Sequence, residues 1–327
     1  MATIIDVAKK AGVSTATVSR AFNGSGMVSE SAMAAVMKAA KELGYVFTPR
    51  AHKDTPDKII AVISPVLIPE IEEAIIDAAL EENLSAIFLY SQGGESDELY
   101  LNGTLQLLEK QLKGVITVSS PSLFYSFKLK VPAGLPLVTT LEDPDDDRTY
   151  FVGSDNIRIG YDATQFLIDQ GCKRIASIAA VNDRNNALKN IQGYKLALLD
   201  NGITPDPALC YEEDFIKRLS GEDPIAPLKA QIERSAPPDG VFCVIDLMAD
   251  DLYDALKQMG LNVPEDVKVV CVGRTENHLR DRFAMARINN DYAAIGREAV
   301  RKLCSLAERG EESSSGYKTL VPHIMPE

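Results

Sequence analysis

Residues 3–45 determine the fold of the N-terminal part of the chain. They read TIIDVAKKAGVSTATVSRAFNGSGMVSESAMAAVMKAAKELGY. Thr3 and Asp6 have the spacing of a capping box, in which the side chain of each residue bonds the backbone N–H of the other. A first helix is therefore predicted over residues 4–11. Gly12 ends this helix, because glycine tolerates the positive φ that a tight turn between helices requires.

Two further helices follow from the same kind of signal. Ser14 has the position of an N-cap for a second helix over residues 15–23, and Ser29 that of an N-cap for a third over residues 30–43, which Gly44 closes. Apolar residues recur at helical spacing through all three segments: Ile4, Val7, Ala8, Val13, Val18, Phe22, Val36, Ala40 and Leu43. This spacing predicts a small three-helix core.

A helix, a short turn with glycine and a second helix form the helix-turn-helix unit, whose second helix lies in the major groove of DNA. The exposed face of that helix carries small hydroxyl residues and one arginine: Ser14, Thr15, Ala16, Thr17, Ser19, Arg20 and Asn23. Hydroxyl groups bond phosphates, and an arginine can bond guanine O6 and N7 at once. The alternative is that these are the small residues of an ordinary capped surface helix.

The sequence pattern of residues 3–45 is more specific than a helix-turn-helix alone requires. The pattern x-I-x-D-V-A-x-x-A-G-V-S-x-x-T-V-S-R-x-x-N, followed by Val28-Ser29 and by L-G-Y at 43–45, resembles the DNA-binding head of the LacI/GalR family of bacterial transcription regulators. The resemblance implies that Thr15, Ala16 and Arg20 read bases. It also implies that Ser14, Thr17, Ser19 and Asn23 contact phosphates.

The segment after Tyr45 departs from the family pattern. The family has a hinge, Y-x-P-N-x-x-A-R-x-L, that inserts its leucine into the minor groove and kinks the duplex. Here His52 stands at the arginine position and Asp54 at the leucine position, and an aspartate is repelled by the phosphates that line the groove. We therefore predict a linker that does not bend DNA in the family's way, between a head of residues 1–46 and a core of residues 59–327.

The core alternates apolar runs with amphipathic stretches. Strands are predicted at 59–64, 84–90, 114–120, 135–140, 174–180, 240–245 and 267–273, and helices at 70–82, 96–112, 157–170, 186–201 and 247–259. This order predicts an α/β core of two similar subdomains with parallel sheets, joined to an all-α head. Ligands of such sheets bind beyond the carboxyl ends of the strands, so a cleft between the two halves is the expected ligand site.

The resemblance to the family continues through the core and implies a fold like that of the type I periplasmic binding proteins, with a small effector in the cleft. Its landmarks include Val152-Gly153-Ser154-Asp155-Asn156, Gly193-Tyr194, Asp246-Leu247-Met248-Ala249 and the run from Gly260 to Val267. Several polar positions of the family's pocket are apolar or glycine here, which makes an unmodified free sugar a poorer fit than a sugar derivative or related metabolite.

Three residues are the candidate effector ligands. Arg184 has the chemistry to bind a carboxylate or phosphate, or it is a solvated loop arginine. Phe215 stands where the family stacks an aromatic ring on its ligand. Asp246 either contacts the effector or caps the helix that follows it.

Charge separates the head from the rest. Residues 1–60 hold eight Lys or Arg and five Asp or Glu, whereas the whole chain has a net charge of −13. A basic head on an acidic body favours an anionic partner for the head alone. The chain has no apolar run that could span a membrane, and it turns charged too early for a signal peptide, so we expect a cytoplasmic location without a membrane partner.

Other functional classes lack their signatures. No GxGxxG follows a strand, and neither a GxxxxGK[ST] loop nor a GxSxG nucleophile is present, which argues against an enzyme. Five scattered cysteines predict free, mostly buried thiols, and the three histidines lack metal-ligand spacing. The acidic run 143–147 is typical of a solvated loop, so no metal and no cofactor are expected.

The sequence thus predicts a homodimeric DNA-binding regulator, most simply a repressor, whose partners are a double-stranded operator and a small-molecule effector. The alternative is a regulator whose degenerate pocket binds no effector, or one that is controlled by a partner protein. A solute-binding protein for transport would need a signal peptide and would lack the helix-turn-helix head.

Overall fold

The computed structural model of the chain describes residues 3–23, 28–45, 58–65, 67–91, 95–118, 129–144, 149–180, 184–213, 226, 229–230, 232, 236–244, 246–273, 286–309 and 318–326. It separates into two compact units, Met1–Pro56 and Asp57–Glu327. The predicted head lies in the first unit, and the predicted core lies in the second.

The head contains three helices at the predicted positions: α1 (Ile4–Ala11), α2 (Thr15–Asn23) and α3 (Glu30–Leu43). Gly12 and Gly44 end α1 and α3 in the left-handed conformation, with φ of 69° and 60°. The interior of the head is made of short apolar side chains: Val7, Ala8, Val18, Ala21, Val36, Ala39 and Ala40. Val13, Phe22 and Leu43 pack against it at the edge.

The capping box of α1 is formed. The backbone N–H of Thr3 donates to the Asp6 carboxylate at 2.8 Å, and the Asp6 N–H donates to the Thr3 hydroxyl at 3.4 Å. The hydrogen bonds from the side chain and backbone of Thr3 hold the pKa of Asp6 below its ordinary value. Because a folded-state pKa below the unfolded value favours the folded, ionised form, this contribution is present at neutral pH and is lost as the pH falls through the lowered pKa.

We expect Thr3→Ala to open the first turn of α1 about fivefold more often at pH 7, which is the typical effect of a lost N-cap. At a pH below the lowered pKa of Asp6 the difference from the wild type should shrink, because the Asp6 carboxylate is then protonated in both chains. Amide hydrogen exchange of α1, corrected for the intrinsic rate at each pH, measures this. An equal difference at the two pH values would show that the Asp6 charge contributes nothing to the cap.

The core is built from two six-stranded sheets flanked by helices. In chain order its elements are β1 (Lys58–Ser64), α4 (Pro69–Glu81), β2 (Leu84–Tyr90), α5 (Glu95–Leu108), β3 (Leu112–Val118), β4 (Leu137–Thr140), β5 (Tyr150–Gly153), α6 (Asn156–Asp169), β6 (Ile175–Ala180), α7 (Arg184–Asp200), β7 (Cys210–Glu213), β8 (Gly240–Cys243), α8 (Asp246–Gln258), β9 (Lys268–Val272), β10 (Ala286–Asn290), α9 (Tyr292–Arg309), β11 (Lys318–Leu320) and β12 (His323–Ile324).

Each sheet defines a lobe of the core. The first has the strand order β11-β5-β4-β3-β1-β2 and the second β12-β10-β9-β8-β6-β7. The described pairings are parallel except that of β12, which runs antiparallel to β10. Each sheet has a separate apolar cluster on each face, so both lobes are three-layered α/β structures. The predicted fold class is confirmed.

The two lobes are interwoven along the chain. Three described connections pass from one sheet system to the other: β5 to α6, β10 to α9, and β11 to β12. Helix α9 returns to the first lobe, where Ile295, Ala299 and Leu303 join the apolar cluster beneath α4. Neither α9 nor the strands β5, β7, β10, β11 and β12 are among the predicted elements.

Helices α6 and α7 of the second lobe approach each other unusually closely. A Cβ atom at Gly193 would overlap the carbonyl oxygen of Ile157 and lie 2.6 Å from the Tyr161 nitrogen. A Cβ atom at Gly160 would overlap the carbonyl oxygen of Asn190. The two glycines thus let the helix backbones touch, and this brings the first turns of α6 and α7 together.

All five cysteines lie in the described part of the chain and have free thiols, as predicted. Cys172, Cys243, Cys271 and Cys304 are buried, and Cys210 is partly buried. Burial raises the pKa of the Cys172 and Cys304 thiols, which keeps them in the unreactive protonated form.

Candidate nucleic-acid interface

The candidate interface is built on α2. Ser14 caps this helix: its hydroxyl oxygen accepts the Thr17 N–H at 3.1 Å and lies 2.9 Å from the Thr17 hydroxyl. The pair uses one of the two hydroxyl protons, so the other stays available for a phosphate oxygen. Ser14 and Thr15 are exposed and Thr17 is half-buried, which leaves this end of α2 accessible to a ligand.

One side of α2 is fixed by packing. Val18 is fully buried and Ala21 is 5% exposed, and both contribute to the apolar interior of the head. At about 100° per residue, the backbone positions of Ala16, Arg20 and Asn23 fall on the opposite side of the helix. The position of Ser19 falls between the two sides. The fold therefore turns the backbone of the predicted reading positions away from the interior.

One side-chain contact joins α2 to the residues after α3, and another joins α1 to α3. The Phe22 ring at its C-terminal end packs against the Tyr45 ring, with centroids 6.0 Å apart and an edge-to-face angle of 60°. Lys10 of α1 forms a 2.8 Å ion pair with Glu42 of α3. The ring contact links α2 to the segment that leads into the linker, and the ion pair holds α1 against α3.

Two of the three predicted effector residues begin helices at the same edge of the second sheet. Arg184 is the first residue of α7, which follows β6, and Asp246 is the first residue of α8, which follows β8. Because β6 and β8 are neighbouring parallel strands, both helices start at the carboxyl edge of this sheet. Asp246 thus lies within the helix rather than at the cap position before it. Phe215 lies outside the described residues.

A polar cluster at the boundary of the lobes is absent from the predicted site. Asp143, in the loop after β4, is only 6% exposed. Its Oδ2 atom accepts a hydrogen bond from Lys189 Nζ of α7 at 2.7 Å and another from Lys318 Nζ of β11, also at 2.7 Å. We call these three residues the interlobe triad.

The interpretation of the run 143–147 as a solvated loop is wrong at Asp143, because two lysines distant in sequence bury its carboxylate. An acidic residue beside proline gave no local signal of this. The adjacent amides extend the contact, since Asn186 Nδ2 donates to the Leu141 carbonyl oxygen at 3.1 Å and Asn156 Nδ2 donates to Asn186 Oδ1 at 2.9 Å.

Of the three histidines in the sequence, His323 of β12 lies within the described residues. Its Nε2 atom lies 3.1 Å from the Asp162 carboxylate of α6, and burial lowers its pKa. Within the described ranges, no group of three or more His, Cys, Asp or Glu side chains is arranged to hold a metal ion. No helix in that same part of the chain is long and apolar enough to cross a membrane.

Two family models match this chain. The model for bacterial regulatory proteins of the lacI family matches residues 3–47, and the model for a periplasmic binding protein-like domain matches residues 164–326. The first match covers the helix-turn-helix head, and the second covers most of the second lobe.

Curated relatives match over nearly the whole chain. The HTH-type transcriptional repressor CytR of Escherichia coli K12 is 30% identical over 98% of this chain and 93% of the relative. The HTH-type transcriptional regulator RegA of Clostridium saccharobutylicum is 32% identical over 97% and 96%. The ribose operon repressor of Haemophilus influenzae is 29% identical over 98% and 96%. All three are regulators.

Solved structures agree with the fold. The structure of a transcriptional regulator CelR in complex with cellobiose superposes with a TM-score of 0.66 at 28% identity, over 99% of this chain and 98% of the other. The lac repressor dimer bound to its operator and an anti-inducer gives a TM-score of 0.65 at 22% identity, over 100% and 98%. The second match supports the architecture alone.

Proposed function

Because this chain belongs to the LacI family of bacterial regulatory proteins, we propose that it is a transcriptional repressor that binds a specific DNA operator and responds to a small effector. The observation that carries this is the head, in which a capped helix turns its small and cationic reading positions away from a three-helix interior. The relatives that match over nearly the full length of the chain are also regulators, which supports the same function for the whole chain.

The residue roles follow the helix geometry. We propose that α2 enters the major groove with Thr15, Ala16 and Arg20 at the base edges. The hydroxyl pair of Ser14 and Thr17, together with Ser19 and Asn23, then contacts phosphates on both sides of the groove. The exposed lysines of the head add a sequence-independent attraction to the duplex.

The arrangement of the domains completes the proposal. Two copies associate through the core, residues 59–327, and present two heads to a pseudo-palindromic operator in the cytoplasm. Residues 47–58 join head and core as a linker without the family's minor-groove leucine. Specificity then rests on α2 and on the spacing of the two half-sites.

The effector is proposed to lie between the lobes of the core, beyond the carboxyl edges of both sheets. Arg184, Phe215 and Asp246 are its proposed contacts on the second lobe. The relatives favour a sugar, since they include a ribose operon repressor and a CelR protein solved with cellobiose. The apolar and glycine positions of the predicted pocket favour a sugar derivative over an unmodified sugar. The second candidate is a regulator without an effector, which the direct side-chain contacts between the lobes favour.

Selection of bound sequences from random DNA tests the proposal. The full chain should enrich a pseudo-palindrome, and a panel of sugars, sugar phosphates and sugar acids should contain a compound that changes its affinity for that sequence. Enrichment without any response to the panel would favour the second candidate. A failure to enrich any sequence over bulk competitor at moderate salt would overturn the proposed function.

Arg20→Ala should weaken operator binding by about 1–3 kcal/mol and relax the base preference at one position of each half-site, because a bidentate guanine contact is lost. Arg20→Lys is the matched control. It keeps the positive charge and the general attraction to phosphates but loses the fork that bonds two guanine atoms. Repeating the selection with both variants measures the effect, and an unchanged base preference in both would exclude Arg20 from base reading.

A further inference from the structure

The boundary between the two lobes holds a charged contact that none of the predicted roles uses. The Asp143 carboxylate belongs to the first lobe, in the loop that joins β4 to β5. Lys318 begins β11 of the same lobe, whereas Lys189 lies on α7 of the second lobe. One oxygen atom of Asp143 therefore accepts one hydrogen bond from its own lobe and one from the opposite lobe, both at 2.7 Å.

The exposure of the three side chains shows which of the two ion pairs is better shielded from water. The Asp143 side chain is 9% exposed and that of Lys189 is 22% exposed, whereas that of Lys318 is 41% exposed. An ion pair that is shielded from water is stronger and less screened by salt than an exposed one. The cross-lobe bond to Lys189 is the more shielded of the two.

The backbone beside Asp143 is held in an uncommon conformation. Leu141 has a φ of 68°, which residues with a side chain rarely adopt, and such a conformation persists when neighbouring contacts hold it. Its carbonyl oxygen accepts the Asn186 amide of α7 at 3.1 Å. The loop is thus gripped from the second lobe at two points, the Leu141 carbonyl and the Asp143 carboxylate.

These contacts leave little freedom to the first turns of α7. Lys189 and Asn186 lie three residues apart on this helix and both face the loop after β4. Asn190, in the same part of α7, donates to Asn156 Oδ1 at the start of α6. The Asn190 contact lies within the second lobe and holds α7 against α6. A rotation of one lobe relative to the other would have to break the Lys189–Asp143 ion pair and the Asn186–Leu141 hydrogen bond together.

We propose that the interlobe triad is a latch that holds the two lobes in the DNA-binding orientation when no effector is bound. Lys189 is the part of the latch that crosses the boundary, and Lys318 holds the Asp143 carboxylate in place from its own lobe. This inference rests on the proposed function, because it links the latch to operator binding. An effector between the lobes would then act on an orientation that the protein's own side chains already favour.

Two lysine variants of the full chain separate the latch from general stability. Lys189→Met and Lys318→Met each remove one 2.7 Å ion pair with the same oxygen atom and replace it with an apolar side chain of similar length. In both variants Asp143 keeps one lysine partner, so neither leaves the buried carboxylate without a counter-charge. Of these two ion pairs, the one that Lys189→Met removes joins the lobes, and the one that Lys318→Met removes lies within the first lobe.

Operator affinity without effector is measured by fluorescence anisotropy. We expect Lys189→Met to bind about tenfold more weakly, because the binding-competent orientation is populated less, so that the apparent Kd rises in proportion. Lys318→Met should stay within about twofold of the wild type, and Lys189→Arg should restore most of the affinity. Equal losses in the two methionine variants, no loss in either, or tighter binding by Lys189→Met would overturn the latch.

Hydrogen exchange keeps this test separate from the proposed function. Amides of residues 141–143 and of the first turns of α7 should exchange several-fold faster in Lys189→Met than in Lys318→Met, whether or not DNA is present. If the wild-type chain bound no operator, the proposed function would fail and this comparison alone would decide the latch. Equal exchange in the two variants would refute it.

Discussion

Gly193→Ala is expected to destabilise the core by about 3 kcal/mol, at the upper end of the usual cost of overpacking. The added methyl group has no free space, because it would overlap the Ile157 carbonyl oxygen on α6. Backbone atoms cannot rotate out of the way as a side chain does, so α6 and α7 must move apart along their whole contact. The separation also loosens Tyr194, which is fully buried and donates to the Ile175 carbonyl oxygen at 2.7 Å.

Gly103→Ala is the matched control for this prediction. Gly103 lies inside helix α5, and a Cβ atom there would meet no other atom within 4 Å. Alanine is favoured over glycine in a helix by up to about 1 kcal/mol, so this variant should be slightly more stable than the wild type. Urea unfolding followed by far-ultraviolet circular dichroism measures both. A Gly193→Ala variant as stable as Gly103→Ala would contradict the close approach of α6 and α7.

Val36→Asp is expected to unfold the head and abolish operator binding. Val36 is fully buried at the centre of the three-helix interior, and an unpaired carboxylate there costs about 3–5 kcal/mol. A unit of this size has little more than that in total stability, because its surface is large relative to its interior. The core has its own apolar clusters, so its unfolding midpoint in urea should stay unchanged.

Met37→Asp separates unfolding from electrostatic repulsion. Met37 is the next residue of the same helix and is 45% exposed, so its substitution adds the same negative charge to the head without placing it in the interior. We expect Met37→Asp to weaken operator binding by less than about tenfold. Electrophoretic mobility shifts of both variants provide the comparison. If the two variants lost binding equally, charge rather than burial would explain the effect.

The helices of the head agree with the sequence prediction to the residue. Five of the six boundaries depend on a described signal within four positions: Thr3 with Asp6, Ser14 with Thr17, Ser29 with Ala32, and a glycine at the end of α1 and of α3. Because a cap and the turn it stabilises are neighbours in the chain, the sequence contains all the information that is needed.

The sequence predicts the fold class of the core correctly but misses helix α9 and several of its strands. The predicted runs that form β1, β6, β8 and β9 are rich in buried apolar residues, and the run that forms β2 is apolar and mostly half-buried. The strands outside the predicted set are short, as is β12, or polar, as is β10, which reads ARINN. Helix α9 has buried apolar residues at helical spacing, including Ile295, Ala299 and Leu303, so its sequence does contain a helix signal.

The candidate site divides in the same way. The reading positions of α2 were predicted from helix geometry and from the family resemblance, and the described backbone turns Ala16, Arg20 and Asn23 away from the buried Val18. Their contacts with DNA stay predictions, as do the effector roles of Arg184, Phe215 and Asp246.

The sequence alone determined the three helices of the head, their caps and the alternation of strands and helices in the core, because these depend on residues a few positions apart. Only the tertiary structure decided that Asp143 is buried. Its partners Lys189 and Lys318 lie 46 and 175 positions away, and they reach it because the chain passes repeatedly between the two sheets. The residues next to a carboxylate in sequence predict that it is exposed and solvated. Its burial depends on counter-charges that only the packing of distant segments brings to it.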